Sequence, residues 1–111
     1  MNLQEVESVV RQTILGDEES LTTRGNCRQA VETLATVVSS ISQRHPDIKV
    51  FFFASKPHDN GTNVHYALGV TDGNQTVLIN PVGDNGYPEY IGPLSEAPGL
   101  LKDLQATDVV V

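Results

Sequence analysis

A chain of 111 residues with 39% hydrophobic and 19% charged residues suits a single globular domain, residues 1–111, with enough apolar content for a modest core. Seven Lys and Arg against fourteen Asp and Glu leave a net charge of −7; with no basic cluster to neutralise a run of phosphates, nucleic acid and anionic membrane surfaces are poor partners. One cysteine excludes an internal disulfide and a multi-thiolate zinc site.

No apolar run nears the roughly 20 residues that span a bilayer, and Met1-Asn2-Leu3-Gln4-Glu5-Val6 lacks the basic then apolar order of a secretory signal. The expectation is a cytoplasmic protein, or a domain cut from a longer, exported polypeptide. Asn60-Gly61-Thr62 and Asn74-Gln75-Thr76 match a glycosylation sequon but read as turns.

Leu3, Val6, Val9, Val10 and Ile14 recur at three- and four-residue spacings, which predicts a first helix over 3–15 ending near Gly16. Asp17 to Ser20 reads as an acidic loop. A second helix is predicted over 27–43, with Cys27, Ala30, Val31, Leu34, Val37, Val38 and Ile41 on one stripe, Asn26 as N-cap and His45-Pro46 as the stop. Ile48 to Ala54 favours a strand, and Lys56 to Thr62, which holds His58, a loop.

Val64–Val70 and Thr76–Asn80 flank Thr71-Asp72-Gly73-Asn74, and Asp-Gly between two such runs predicts a hairpin. With Asp72 and Gly73 as the loop, Thr71 pairs with Asn74, and His65 then lies directly opposite Asn80. A loop longer by two keeps the pair on one face but diagonal; a shift of one separates them. Their shared face carries Ala67, Gly69, Leu78 and Thr76, small enough in part for a helix to approach. Residues 81–95 read as loop with at most a short edge strand, Ser95–Gln105 as a last short helix, and Val109–Val111 is too short to assign. Helices followed by strands give an α+β fold, N-terminal helices on a small antiparallel sheet.

A thiol at a helix start gains from the partial positive charge of the first-turn N–H groups. Cys27 has that position, His65 can serve as base, and Asn80 can hold the imidazole in one tautomer. The Cys27 backbone N–H, with Asn26 or Thr23, is the candidate oxyanion donor. This chemistry requires no cofactor. A metal site through His45, His58 and His65 has neither ligand spacing nor a carboxylate motif behind it.

Gly25-Asn26-Cys27 opening a helix, then Val64-His65-Tyr66-Ala67-Leu68, then Val77-Leu78-Ile79-Asn80-Pro81-Val82-Gly83, resembles the papain-like cysteine-protease superfamily over residues 23–86. The likeness is to its small bacterial branches, the papain-fold toxin or effector domains and the bacteriocin-processing peptidases; transglutaminase-like proteins share the order. The resemblance implies a papain-like core in which Cys27 is nucleophile, His65 general base and acid, and Asn80 orienter. It further implies a protease, deamidase or transferase acting on a protein substrate, and an inhibitor or immunity protein as a further partner.

The sequence departs from that pattern before the nucleophile, where many relatives carry a glutamine and this chain has Ser20, Leu21, Thr22 and Thr23. Many toxin relatives also have Asp where this chain has Asn80. These departures motivate the competing expectation, a catalytically degenerate papain-like domain or a small acidic protein-binding module.

Overall fold

The computed structural model describes residues 3–55, 64–83 and 86–110, the last three by backbone alone. Three helices, α1 (Leu3–Gly16), α2 (Glu18–Thr22) and α3 (Cys27–Ser42), precede five strands, β1 (Lys49–Ala54), β2 (Tyr66–Thr71), β3 (Thr76–Asn80), β4 (Tyr90–Pro93) and β5 (Gln105–Val110). The strands form one antiparallel sheet in the order β4-β3-β2-β1-β5. The α+β class follows directly.

The helices cover one face because their stripes fit it. Val6 and Val10 of α1 and Ala30, Val31, Leu34, Ala35 and Val38 of α3 join Val50, Leu68, Val70, Val77 and Ile79 in one buried cluster. The period of 3–4 on the helices meets the period of 2 on the strands, so each helix buries one stripe against one of the two faces of the sheet. The opposite face carries Phe53, Ala67 and Leu78, under Tyr87, Ala97, Leu101 and Leu104. Its cover comes from two 3-10 turns, Leu94–Glu96 and Gly99–Asp103, where one α-helix had been expected over 95–105. Pro93 and Pro98 stand at the N-cap of each turn, and Pro98 separates the two; a proline supplies no N–H for a continuous helix. The expected loop at Asp17–Ser20 is likewise corrected, since Glu18–Thr22 is helical and Cys27 therefore opens the third helix, not the second.

The hairpin also departs from the expected register. Thr71 pairs with Thr76 and Leu68 with Ile79, so four residues, Asp72 to Gln75, form the connection. Asp72 Oδ1 accepts the N–H groups of Asn74 (2.9 Å) and Gln75 (2.8 Å), and Gly73 takes the left-handed region at φ 95°. Asp side chains favour such local bonds over the tight two-residue turn. Asn74 of the second sequon thus lies in a turn, as expected; Asn60 and His58 lie outside the described residues.

β4 is the expected short edge strand, and its outward side is closed. Arg11 Nη2 donates to Ile91 O (2.8 Å), Tyr90 Oη donates to Pro93 O (2.6 Å), and Pro93 has no N–H to offer. Such devices keep an edge from pairing with another chain. No helix among the described residues is long and apolar enough to cross a membrane.

Candidate active site

His65 immediately precedes β2, and Asn80 ends β3. The observed register brings Asn80 level with Ala67 rather than His65, so the two meet diagonally across the hairpin, and their side chains still bond: His65 Nε2 to Asn80 Oδ1 is 2.7 Å. Both residues are buried, His65 at 1% and Asn80 at 0% exposure. The displacement by two, rather than one, preserves the shared face.

The tautomer follows from the second bond that Asn80 makes. Its Nδ2 donates to Pro88 O at 2.6 Å, and a carbonyl accepts only. The amide oxygen must then face the imidazole, so Nε2 carries the hydrogen and Nδ1 keeps the lone pair. Tyr87 stacks on the imidazole with ring centroids 4.3 Å apart and planes 6° from parallel. His65 N–H donates to Ser55 Oγ (2.9 Å), and its carbonyl accepts from Ser55 N–H (2.9 Å). Backbone, ring face and ring edge are thus all held. Tyr87 and Ser55 are contributors that the sequence reading did not single out; only the aromatic among the glycines and prolines of 81–95 pointed to the former.

Cys27 is the first residue of α3, half-buried against the helix-side cluster. A turn sets it there: Asn26 N–H bonds Thr23 O (3.0 Å), and Gly25, at φ 87°, occupies the third position as a type II turn requires. Asn26 sits at the N-cap, and its carbonyl accepts from Ala30 N–H (3.0 Å), but its side chain does not cap. Asn26 Nδ2 donates instead to Ser20 O (2.7 Å), and Thr23 Oγ1 donates to Glu19 O. The two side-chain oxyanion candidates therefore each spend a donor locally, Asn26 in tying the start of α3 to α2 and Thr23 in closing the last turn of α2.

The relation of Cys27 to the pair is set by the helix start. Arg28 lies with its guanidinium 5.5 Å from the centre of the Tyr66 ring and pairs with Glu32 at 3.1 Å. Hydrogen bonding to Glu32, with smaller contributions from Tyr66 and the Glu32 charge, raises the Arg28 pKa further. Cys27 precedes Arg28 and His65 precedes Tyr66, so α3 begins at the His65 end of β2. The faces differ from expectation, however. α3 packs on the Leu68 and Val70 side, whereas Tyr87, which stacks on His65, belongs with Ala67 and Leu78. The helix expected over the Ala67 face is replaced there by Tyr87 and the 3-10 turns.

Tyr90, opposite Asn80 in the β3–β4 ladder, has its pKa raised by burial first and by the Glu96 and Glu7 charges second, which keeps its phenol a proton donor. Among the described residues no group of three or more His, Cys, Asp or Glu side chains is gathered to hold a metal ion. Comparisons with protein-family models, with curated proteins and with solved structures return no match.

Proposed function

We propose that the protein is a papain-like cysteine hydrolase or acyltransferase acting on an amide of a protein substrate, in the manner of a bacterial effector domain. The observation that carries this reading is the buried His65–Asn80 hydrogen bond, which leaves Nδ1 as the basic nitrogen of a rigidly held ring at the end of the sheet where α3 begins. Cys27 is the nucleophile in this reading. Its thiol gives a proton to His65 Nδ1, the thiolate adds to the amide carbonyl, and the protonated imidazole returns the proton to the departing nitrogen. Water or an amine then resolves the thioester. Asn80 orients and does not carry charge; Tyr87 keeps water from the Nε2–Oδ1 bond. The backbone N–H of Cys27 is the oxyanion donor, given the local bonds of Asn26 and Thr23.

A second reading, a non-catalytic binding module, is favoured by one observation: α3 lies on the Leu68 side while His65 stacks with the opposite side. His65, Asn80 and Tyr87 would then be a polar clasp that joins Tyr87 and Pro88 to the sheet.

Alkylation by iodoacetamide across pH separates the two. The enzyme reading expects Cys27 to react well below the ~8.5 at which a free thiol titrates, and expects His65→Ala to return it to ordinary behaviour. A thiol titrating near ~8.5 and indifferent to His65→Ala would refute the enzyme reading and leave the binding module.

A further inference from the structure

Between the end of α1 and the edge strand β4 lies a cavity of about 380 Å³, within the size range of small-ligand sites. Ile14 and Leu15 of α1 and Tyr90 and Ile91 of β4 supply its apolar lining. Leu15 is 71% exposed, and it and Leu100 are the large apolar side chains left so open among the described residues.

The polar groups of the cavity make two opposite demands. Arg11 lines it and donates from Nη2 to Ile91 O (2.8 Å), which anchors the guanidinium and leaves further N–H donors for an anion. The remaining groups favour a cation. Glu89 lines the cavity and makes no ion pair with Arg11. Thr22 Oγ1 gives its hydrogen to Glu18 O (2.7 Å), so it can only accept from a ligand. α1 ends beside them with no basic side chain in its last turn, so the partial negative charge of its final carbonyls has no cation of its own there.

We infer that this cavity is a binding site for a free apolar α-amino acid, taken as its zwitterion. The site involves neither Cys27 nor His65 and does not depend on the catalytic reading. The ligand carboxylate pairs with Arg11, and its ammonium with Glu89, Thr22 Oγ1 and the end of α1. The side chain lies against Ile14, Leu15, Ile91 and the Tyr90 ring. So placed, the ligand bridges α1 and β4.

Other ligand classes leave one demand opposed or unmet. A simple carboxylate would satisfy Arg11 but meet Glu89, an amine would satisfy Glu89 but meet Arg11, and a neutral apolar molecule would match neither charge. An α-amino acid carries both charges and the apolar group on a single carbon, the combination that this three-part lining calls for.

The test is titration of the isotope-labelled protein with free leucine, followed by the NMR signals of its amide groups. Leucine should shift the Leu15 and Ile91 signals and saturate below about 10 mM. Leucinamide, which lacks the carboxylate, and N-acetylleucine, which lacks the ammonium, should each bind roughly fivefold more weakly. Glycine, with no side chain, should not saturate in that range. Glu89→Gln should weaken leucine roughly fivefold without weakening N-acetylleucine, and Arg11→Gln should weaken leucine similarly without weakening leucinamide. Leu15→Asp, at an exposed position, should raise the dissociation constant for leucine roughly tenfold or more, and Leu100→Asp should leave it unchanged. Circular dichroism checks that each variant is folded; Glu89 is exposed, so Glu89→Gln serves even where Arg11→Gln loosens β4. Shifts that do not saturate, leucinamide or N-acetylleucine binding as tightly as leucine, or a folded Leu15→Asp with unaltered affinity overturns the inference.

Discussion

The His65–Asn80 bond makes a quantitative claim that needs no substrate. Asn80→Leu keeps the volume roughly constant but removes both bonds. It strands the His65 Nε2–H in a site that is 1% exposed, at a cost of about 1–3 kcal/mol. It also removes the donor to Pro88 O, worth about 0.5–1.5 kcal/mol because Pro88 is exposed and its carbonyl can be rehydrated. The single variant should therefore lose about 2–4 kcal/mol, a large share of the ~5–15 kcal/mol typical of a domain. His65→Phe preserves the stack on Tyr87 but strands Asn80 Oδ1, again about 1–3 kcal/mol.

In the double variant neither group is left unsatisfied and both stranding costs vanish, so its loss should fall short of the sum of the singles by about 2–6 kcal/mol. Urea unfolding of the four proteins, followed by circular dichroism with equal m-values, measures that coupling. Additivity within about 0.5 kcal/mol would show that the 2.7 Å contact contributes nothing specific, and the tautomer argument built on it would collapse.

Two further outcomes follow from the sheet. Two backbone N–H groups, those of Gln75 and Asn74, hold the Asp72 carboxyl below its ordinary value. Its contribution to stability is therefore present above the unfolded-state pKa and is lost as pH falls through the folded one, so Asp72→Ala should lower Tm at neutral pH and converge on wild type in strong acid; a difference that stays constant with pH contradicts this. At Gly69, a Cβ would lie 2.6 Å from Phe53 Cε2 and 2.7 Å from Phe51 Cε2 and Cζ. Gly69→Ala should thus destabilise by about 1–2 kcal/mol, overpacking of about 1–3 outweighing a backbone gain of about 0.5–1; a rise in Tm would show that the two rings yield freely.

The parts of this fold that were legible in the sequence are those in which one pattern acts alone. The stripes of α1 and α3 appear where expected, because burial of one face is a local rule repeated along the segment, and β3 spans the run Thr76–Asn80 that was expected as a strand. The His65–Asn80 neighbourhood was legible for the same reason, since strand parity survives a register error of two. The error arose where side chain and backbone compete: the Asp72 carboxylate captures two N–H groups and lengthens the turn. The Asn26 amide was similarly drawn from capping to Ser20 O by a tertiary contact that no local pattern announces. Which face α3 would cover was not legible either. Tyr66, Leu68 and Val70 on one side and Ala67 and Gly69 on the other are both coverable, and bulk decided: the large stripe took the helices, while Phe51 and Phe53 lie over Gly69. β5 was missed because Gln105, Ala106 and Thr107 are a weak strand signal without their partner β1.

The pairing of β1 with β5 has a consequence for the order in which the chain can mature. Phe51 and Phe53 meet Val110 and Ala106, more than fifty residues later, so the Lys49–Ala54 strand has one open side from its synthesis until the final strand emerges. The β4 border is sealed by Arg11 and Tyr90, but that seal guards the far side of the sheet. During translation the vulnerable border is therefore the Phe51-Phe52-Phe53 run. A nascent chain stalled before Gln105 presents three consecutive phenylalanines on an unpaired strand, the condition under which chaperone capture or intermolecular pairing competes with folding.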